Sequence, residues 1–242
     1  MSKPAIVLVH GAFADASSWA GVTRILQEHG YPVVAIANPL RGLRHDALYL
    51  RCLLTSVPGP VVLVGHSYGG AVISEAATGL CNVIALVFVA ALTPDEGESC
   101  ADLDARYGGP AVRITQPLPL PIPPGEIPAR DGPPNIELFI DPAQFGTMFA
   151  PDTDPETASC LAASQRPVAL AALTQKAVAP GWKTVPCYFA VATDDRMIPA
   201  WGQREMAARI GAITVEVPAG HAAMLGQPDP IARLILMAAE DS

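Results

Sequence analysis

The chain has 242 residues, half of them apolar and 16% charged, with a formal net charge of −8 at pH 7. This composition suits a single well-packed core and argues against disorder. The acidic balance offers no basic patch to a nucleic-acid backbone, and no apolar run approaches the length of a membrane span. Met1-Ser2-Lys3-Pro4 leads almost directly into a strand, which leaves no room for a signal peptide. The five cysteines, Cys52, Cys81, Cys100, Cys160 and Cys187, have no CxxC spacing, and their odd number leaves one unpaired. Free thiols in a cytoplasmic protein are therefore expected.

In chain order, Ala5 to Val9 reads as an apolar strand ending at His10-Gly11. Ser17 or Ser18 is placed to cap a helix carrying Trp19, Val22, Ile25 and Leu26 at helical spacing, with Gly30 ending it. Pro32 to Ala37 is the next strand, followed by a turn at Pro39 and Gly42 and a helix containing Leu48, Leu50, Leu53 and Leu54. Pro58-Gly59-Pro60 stops that helix ahead of Val61-Val62-Leu63-Val64, a buried strand, and Ala71 to Ala77 is suited to a helix. Val83 to Val89 is too continuously apolar to have one wet face. Strands apolar on both sides, alternating with helices, imply an α/β fold: a mostly parallel sheet of about six strands covered by helices.

The alternation breaks near Pro94. Prolines crowd Leu118 to Pro124 and Asp131 to Pro134, and a residue without a ladder donor cannot extend a central sheet. Phe139, Phe145, Met148 and Phe149 interleave this stretch with large apolar groups. Residues 94–165 are therefore expected to form a cap inserted into a core made of 1–93 and 166–242. The core pattern resumes with strands at Val185 to Val191 and Ile213 to Val217, and closes with a helix over Ile231 to Ala239.

The chemistry starts at Gly65-His66-Ser67-Tyr68-Gly69, which fits the G-x-S-x-G nucleophile elbow between a strand and a helix. Ser67 needs a base to take its proton. Of the five histidines, His66 adjoins the serine but points elsewhere across a sharp turn, while His29 and His45 read as surface groups. His221 follows the strand ending at Val217 and so reaches the carboxyl edge that displays Ser67. Asp194 and Asp195 emerge at that edge after Val191, and the order Ser, Asp, His suits this architecture. Spacing alone leaves both aspartates open. The backbone N–H of Tyr68, with that of Phe13 or Ala12 after the first strand, is positioned to stabilise an oxyanion. The scattered histidines and the lack of G-x-x-x-x-G-K-[ST] imply no metal and no nucleotide or other cofactor.

The segments V-L-V-H-G-A-F, D-A-S-S-W, G-H-S-Y-G-G, A-T-D-D-R-M-I-P and G-H-A-A-M-L, in this order, resemble the α/β-hydrolases. The likeness is to the small branch that includes plant esterases, hydroxynitrile lyases and bacterial esterases of similar size. The resemblance implies Asp195 as the acid, with Ala192 standing for the usual glycine and Pro199 for the usual proline. It also implies oxyanion donors at Phe13 or Ala12 and at Tyr68, and a structural Trp19. Lyases of the branch carry a lysine after the histidine and a threonine on the oxyanion loop, where this chain has Ala222 and Ala12. The implied activity is a serine esterase acting through an acyl-enzyme on a small, largely apolar or aromatic substrate. Phe13, Tyr68, Phe145, Phe149, Met224 and Leu225 are the expected pocket lining, although Phe145 and Phe149 also suit packing of the cap on the core. The same machinery serves cleavage of a lactone, thioester, amide or carbon–carbon bond, and the fold also supports receptors that bind a small ligand without turnover.

Overall fold

The computed structural model describes residues 3–120 and 135–241. Its strands are β1 (Ala5–Val9), β2 (Val33–Ile36), β3 (Val61–His66), β4 (Val83–Val89), β5 (Thr115–Pro119), β6 (Ile136–Ile140), β7 (Val168–Ala169), β8 (Cys187–Ala192) and β9 (Ile213–Val217). Six of them form one all-parallel sheet in the order β2-β1-β3-β4-β8-β9. Every residue of β1, β3 and β8 is buried, as the unbroken apolar runs require, while the edge strands β2 and β9 carry exposed positions.

Helices Ala20–Glu28 and Pro228–Glu240 pack against each other, as do Leu43–Leu54 and Tyr68–Ala77. Both pairs rest on the central strands. The chain enters at β1, steps to β2 on one side, then returns across β1 to β3 and runs outward. The loops leaving β1 and β3 therefore diverge, opening a crevice at the carboxyl edge where this order reverses.

The first helix starts differently from its sequence reading. Asp15, not Ser17 or Ser18, is the cap: its carboxylate accepts from the Ser17 N–H at 2.7 Å, and a 3₁₀ turn over Ala16–Trp19 precedes the helix. Ser17 and Ser18 bond back to Asp15 instead. An aspartate two residues earlier competes better because its charged oxygen is the stronger acceptor.

Beyond Pro94, none of the described residues up to Gln165 joins the central sheet. They form helices Cys100–Tyr107, Ala111–Ile114, Pro142–Met148 and Pro155–Ser164, with β5 and β6 paired antiparallel. A two-residue strand just past 165, β7, completes this second sheet. The proline runs at 121–124 and 131–134 lie outside the described residues. The second sheet is tied to the core through the Ala169 N–H to Leu40 carbonyl bond at 2.9 Å and an Arg41–Glu137 ion pair. Arg166 adds a hydrogen bond to the Asn38 carbonyl.

Candidate active site

β3 ends abruptly at Ser67, which adopts φ 53° and ψ −123° before the helix Tyr68–Ala77 begins. A non-glycine residue held there costs on the order of 1–3 kcal/mol, so the surroundings must enforce it. The flanking glycines permit the turn by close approach: a Cβ on Gly65 would fall 2.5 Å from the Gly69 carbonyl oxygen, and one on Gly69 would fall 2.5 Å from the Val9 carbonyl oxygen. Strand, serine and helix thus interlock only without side chains at those two positions.

The structure brings the three segments singled out in the sequence to one rim. The His221 Nε2 lies 3.0 Å from Ser67 Oγ, and its Nδ1 lies 2.9 Å from Asp195 Oδ2. A carboxylate only accepts, so Nδ1 carries the proton and the Nε2 lone pair faces the serine hydroxyl. Asp195 is oriented from both sides. Its Oδ1 accepts from the N–H groups of Met197 and Ile198 at 2.7 and 2.9 Å, and its Oδ2 accepts from Gln203 Nε2 at 2.7 Å. Asp194 is exposed and makes only a backbone bond, to the Ala219 carbonyl, and a weak contact with Thr193.

Two orienting residues escaped the sequence reading. Gln203 is fully buried and also receives the Ala192 N–H on Oε1 while donating to the Ile198 carbonyl. Only its place on the helix after Pro199, facing β8, marks it. His66 does point away from Ser67, but it lies against the other histidine: ring centroids of His66 and His221 are 4.7 Å apart, and Nε2 of His66 donates to the His221 carbonyl at 3.0 Å. Trp19 and Phe149 pack edge-on against the His66 ring. Full burial pushes its pKa well below the usual imidazole range, so this second ring stays neutral beside the first.

The loop after β1 is fixed by a third buried ring. His10 Nε2 accepts the Asn38 N–H at 3.0 Å, so Nδ1 carries the proton and donates to the Gly11 carbonyl at 2.8 Å. Burial lowers the His10 pKa to about 4. Phe13 follows at φ 64°, a second strained residue at the site. Tyr68 occupies the first helical position, where backbone N–H groups have no carbonyl of their own helix. Its phenol donates to Asp46 Oδ2 at 2.8 Å, and Asp46 also accepts from the Arg41 N–H.

Ala12, Phe13, Ser67, Tyr68 and His221 border a cavity of about 360 Å³. Leu92, Leu138, Leu170, Leu173, Met197 and Ile198 are the large apolar residues of the remaining wall, with Asp104 and Arg113 as its charged members. Phe145, Phe149, Met224 and Leu225, expected in the lining, do not border this cavity. Phe149 instead lies edge-on to His221 and against Phe145, with centroids at 5.3 and 4.9 Å. Met224 is fully buried in the core, and Leu225 borders only a small separate void with Phe145 and Phe149. The aromatic spacing reports packing here: Phe149 contacts the rings of His221, His66 and Phe13, and Phe145 supports Phe149. Among the described residues, no three His, Cys, Asp or Glu side chains converge as a metal site.

The model of the alpha/beta hydrolase family matches residues 6–234. The chain belongs to that family. Along its whole length it is 27% identical to the alpha/beta hydrolase nvfD of Aspergillus novofumigatus, covering 99% of that protein. It is also 27% identical to the carbendazim hydrolyzing esterase of a Nocardioides species, with 93% of this chain and 96% of the relative covered. The crystal structure of polyneuridine aldehyde esterase superposes with a TM-score of 0.81 over 98% of this chain and 99% of the other, at 22% identity. This hydrolase therefore stands among esterase-like enzymes of the fold. No helix of the described residues is long and apolar enough to cross a membrane.

Proposed function

We propose that this hydrolase cleaves a carboxylic ester of a small, largely apolar substrate through an acyl-enzyme on Ser67. The observation that carries the reading is the continuous Ser67–His221–Asp195 chain opening onto the cavity. His221 Nε2 takes the hydroxyl proton as Ser67 Oγ bonds to the ester carbonyl carbon, and Asp195 stabilises the imidazolium that results. Negative charge develops on the carbonyl oxygen, which the N–H of Tyr68 and that of Phe13 or Ala12 receive. Collapse of the intermediate breaks the bond to the alcohol, which leaves with the proton from His221. Water, deprotonated by the same ring, then releases the acid and restores the serine.

In this reading residues 94–165 cap the site and set its selectivity. A volume near the lower end of the roughly 300–1,000 Å³ typical of ligand pockets favours a short acyl or single-ring group. The five cysteines are all unpaired thiols, which suits a reducing compartment, and we place the enzyme in the cytoplasm. A series of p-nitrophenyl esters of increasing acyl length, with Ser67→Ala as control, tests the proposal. Steady turnover that vanishes in the variant is the expected result. Turnover that survives the loss of Ser67, or its absence across the series, would sink it.

A further inference from the structure

The cavity beside Ser67 has one feature that ester hydrolysis does not use. Asp104, on helix Cys100–Tyr107, is the only carboxylate among the described residues of its wall, and it stands amid Ala101, Ala105, Leu138 and Leu173. Its charge has no salt-bridge partner among the described residues within direct contact, and Arg113 acts on it only at longer range. The carboxylate accepts one hydrogen bond, from the Ala111 N–H, and an ionised carboxylate has about four acceptor sites. Partial burial raises its pKa, as expected of a charge facing an apolar wall with too few donors.

Its position is also built. Asp104 lies over Gly109, where a Cβ would fall 1.9 Å from Oδ1, so the absence of a side chain at 109 makes the space the carboxylate fills. Both residues border the cavity. The remaining polar groups nearby are committed or placed elsewhere: the Tyr68 phenol bonds Asp46, His221 and Ser67 serve each other, Arg113 is exposed, and the Cys100 thiol is buried with its pKa pushed up to about 12, so it stays protonated beside Asp104.

Building on the ester-hydrolase reading, we infer that Asp104 recognises a neutral hydrogen-bond donor, of hydroxyl type, on the end of the substrate remote from the reacting carbonyl. The preferred substrates are then esters whose apolar or aromatic body ends in a hydroxyl, rather than fully apolar esters. A neutral donor is favoured over a cation because Arg113 shares the same wall and offsets the charge of Asp104. A donor there satisfies the carboxylate's spare acceptor sites, whereas a bare hydrocarbon leaves them desolvated.

The test reads binding in the Ser67→Ala background, so that its outcome does not depend on turnover. Titration calorimetry compares methyl 3-(4-hydroxyphenyl)propanoate with methyl 3-phenylpropanoate. The hydroxylated ester is expected to bind about tenfold more tightly. That advantage should vanish when Asp104→Leu is added. Gly109→Ala, which keeps the carboxylate but displaces it, should cut the advantage as well, and Asp104→Asn should keep part of it. Equal affinities, no binding of either ester, or an advantage that survives both D104L and G109A would overturn the inference. Tighter binding of methyl 3-(4-carboxyphenyl)propanoate would assign the polar end to Arg113 and overturn it too. Failure of the ester-hydrolase reading shows separately, as missing Ser67-dependent turnover.

Discussion

The rim that carries Ser67, His221 and Asp195 and residues 94–165 are held by different kinds of contact. At the rim, side chains are buried and each polar atom of the three has a partner within hydrogen-bond distance; orienting groups such as Gln203 and His66 come from the rigid sheet and its helices. In residues 94–165, β5 is almost wholly exposed, and the ties to the core are hydrogen bonds, the packing of Phe149 against the His221 ring, and the ion pairs Arg41–Glu137, Asp95–Lys183, Asp102–Lys176 and Glu98–Arg209, each with a partly exposed member. The proposed chemistry therefore sits on side chains oriented from several directions.

Variants on each side probe this difference. The largest effects belong to the rim. Ser67→Ala and His221→Ala are each expected to lower kcat by about 10⁵-fold or more, since the parts of a triad act as a unit. Asp195→Asn should cost about 10⁴-fold through the wrong tautomer of His221, while Asp194→Asn changes kcat less than twofold. Equal losses in the two aspartate variants would refute the assignment of the acid. Gln203→Leu leaves the Ala192 N–H unpaired and removes a donor from Asp195; steady-state kinetics should show kcat falling about 10- to 100-fold with KM little changed.

Acid stability sharpens the same contrast. His10 is held neutral by burial, with its pKa lowered from 6.5 to about 4. The unfolded chain therefore binds a proton that the folded one refuses between those values. Stability is complete above about pH 6.5 and is lost as pH falls toward 4, by up to about 3 kcal/mol from this ring alone. His66, shifted the same way, adds to the loss. Urea midpoints from pH 7 down to 4 would check it, and a His10→Gln protein, if folded, should show a shallower decline. The smallest effect is expected across the Arg41–Glu137 tie: the double variant Arg41→Ala, Glu137→Gln should cost no more than about 1 kcal/mol, because the arginine is half-exposed and the neutral amide leaves no unpaired charge at the buried end. A loss of several kcal/mol in thermal unfolding would mean that residues 94–165 are part of the core's own cooperative unit.

Much of this arrangement was legible before any coordinates. Continuous apolar runs give β1, β3 and β4 almost to the residue, because strands buried on both faces have no polar positions to blur their ends. The elbow could be read because only glycine tolerates backbone approaches of 2.5 Å, so the chemistry of the turn is written in residue type. Chain order then sent His221 and an aspartate to the same edge as Ser67. What the sequence left open was every matter of direction. Asp194 and Asp195 are identical as residue types, and only the fold turns one inward to the Met197 and Ile198 N–H groups and the other to solvent. Phe145 and Phe149 recur one helical turn apart whether they line a cavity or pack beside His221, and the tertiary structure alone chose the second. Gln203, His66 and Asp104 carry no local signature, since their partners lie in distant segments or across a turn that periodicity cannot see. Sequence determined which elements exist and which reactive groups share an edge, because those follow from local hydrophobicity and backbone sterics. Which side chains face one another depends on how the elements are rotated and packed, and that is decided only when the whole core closes.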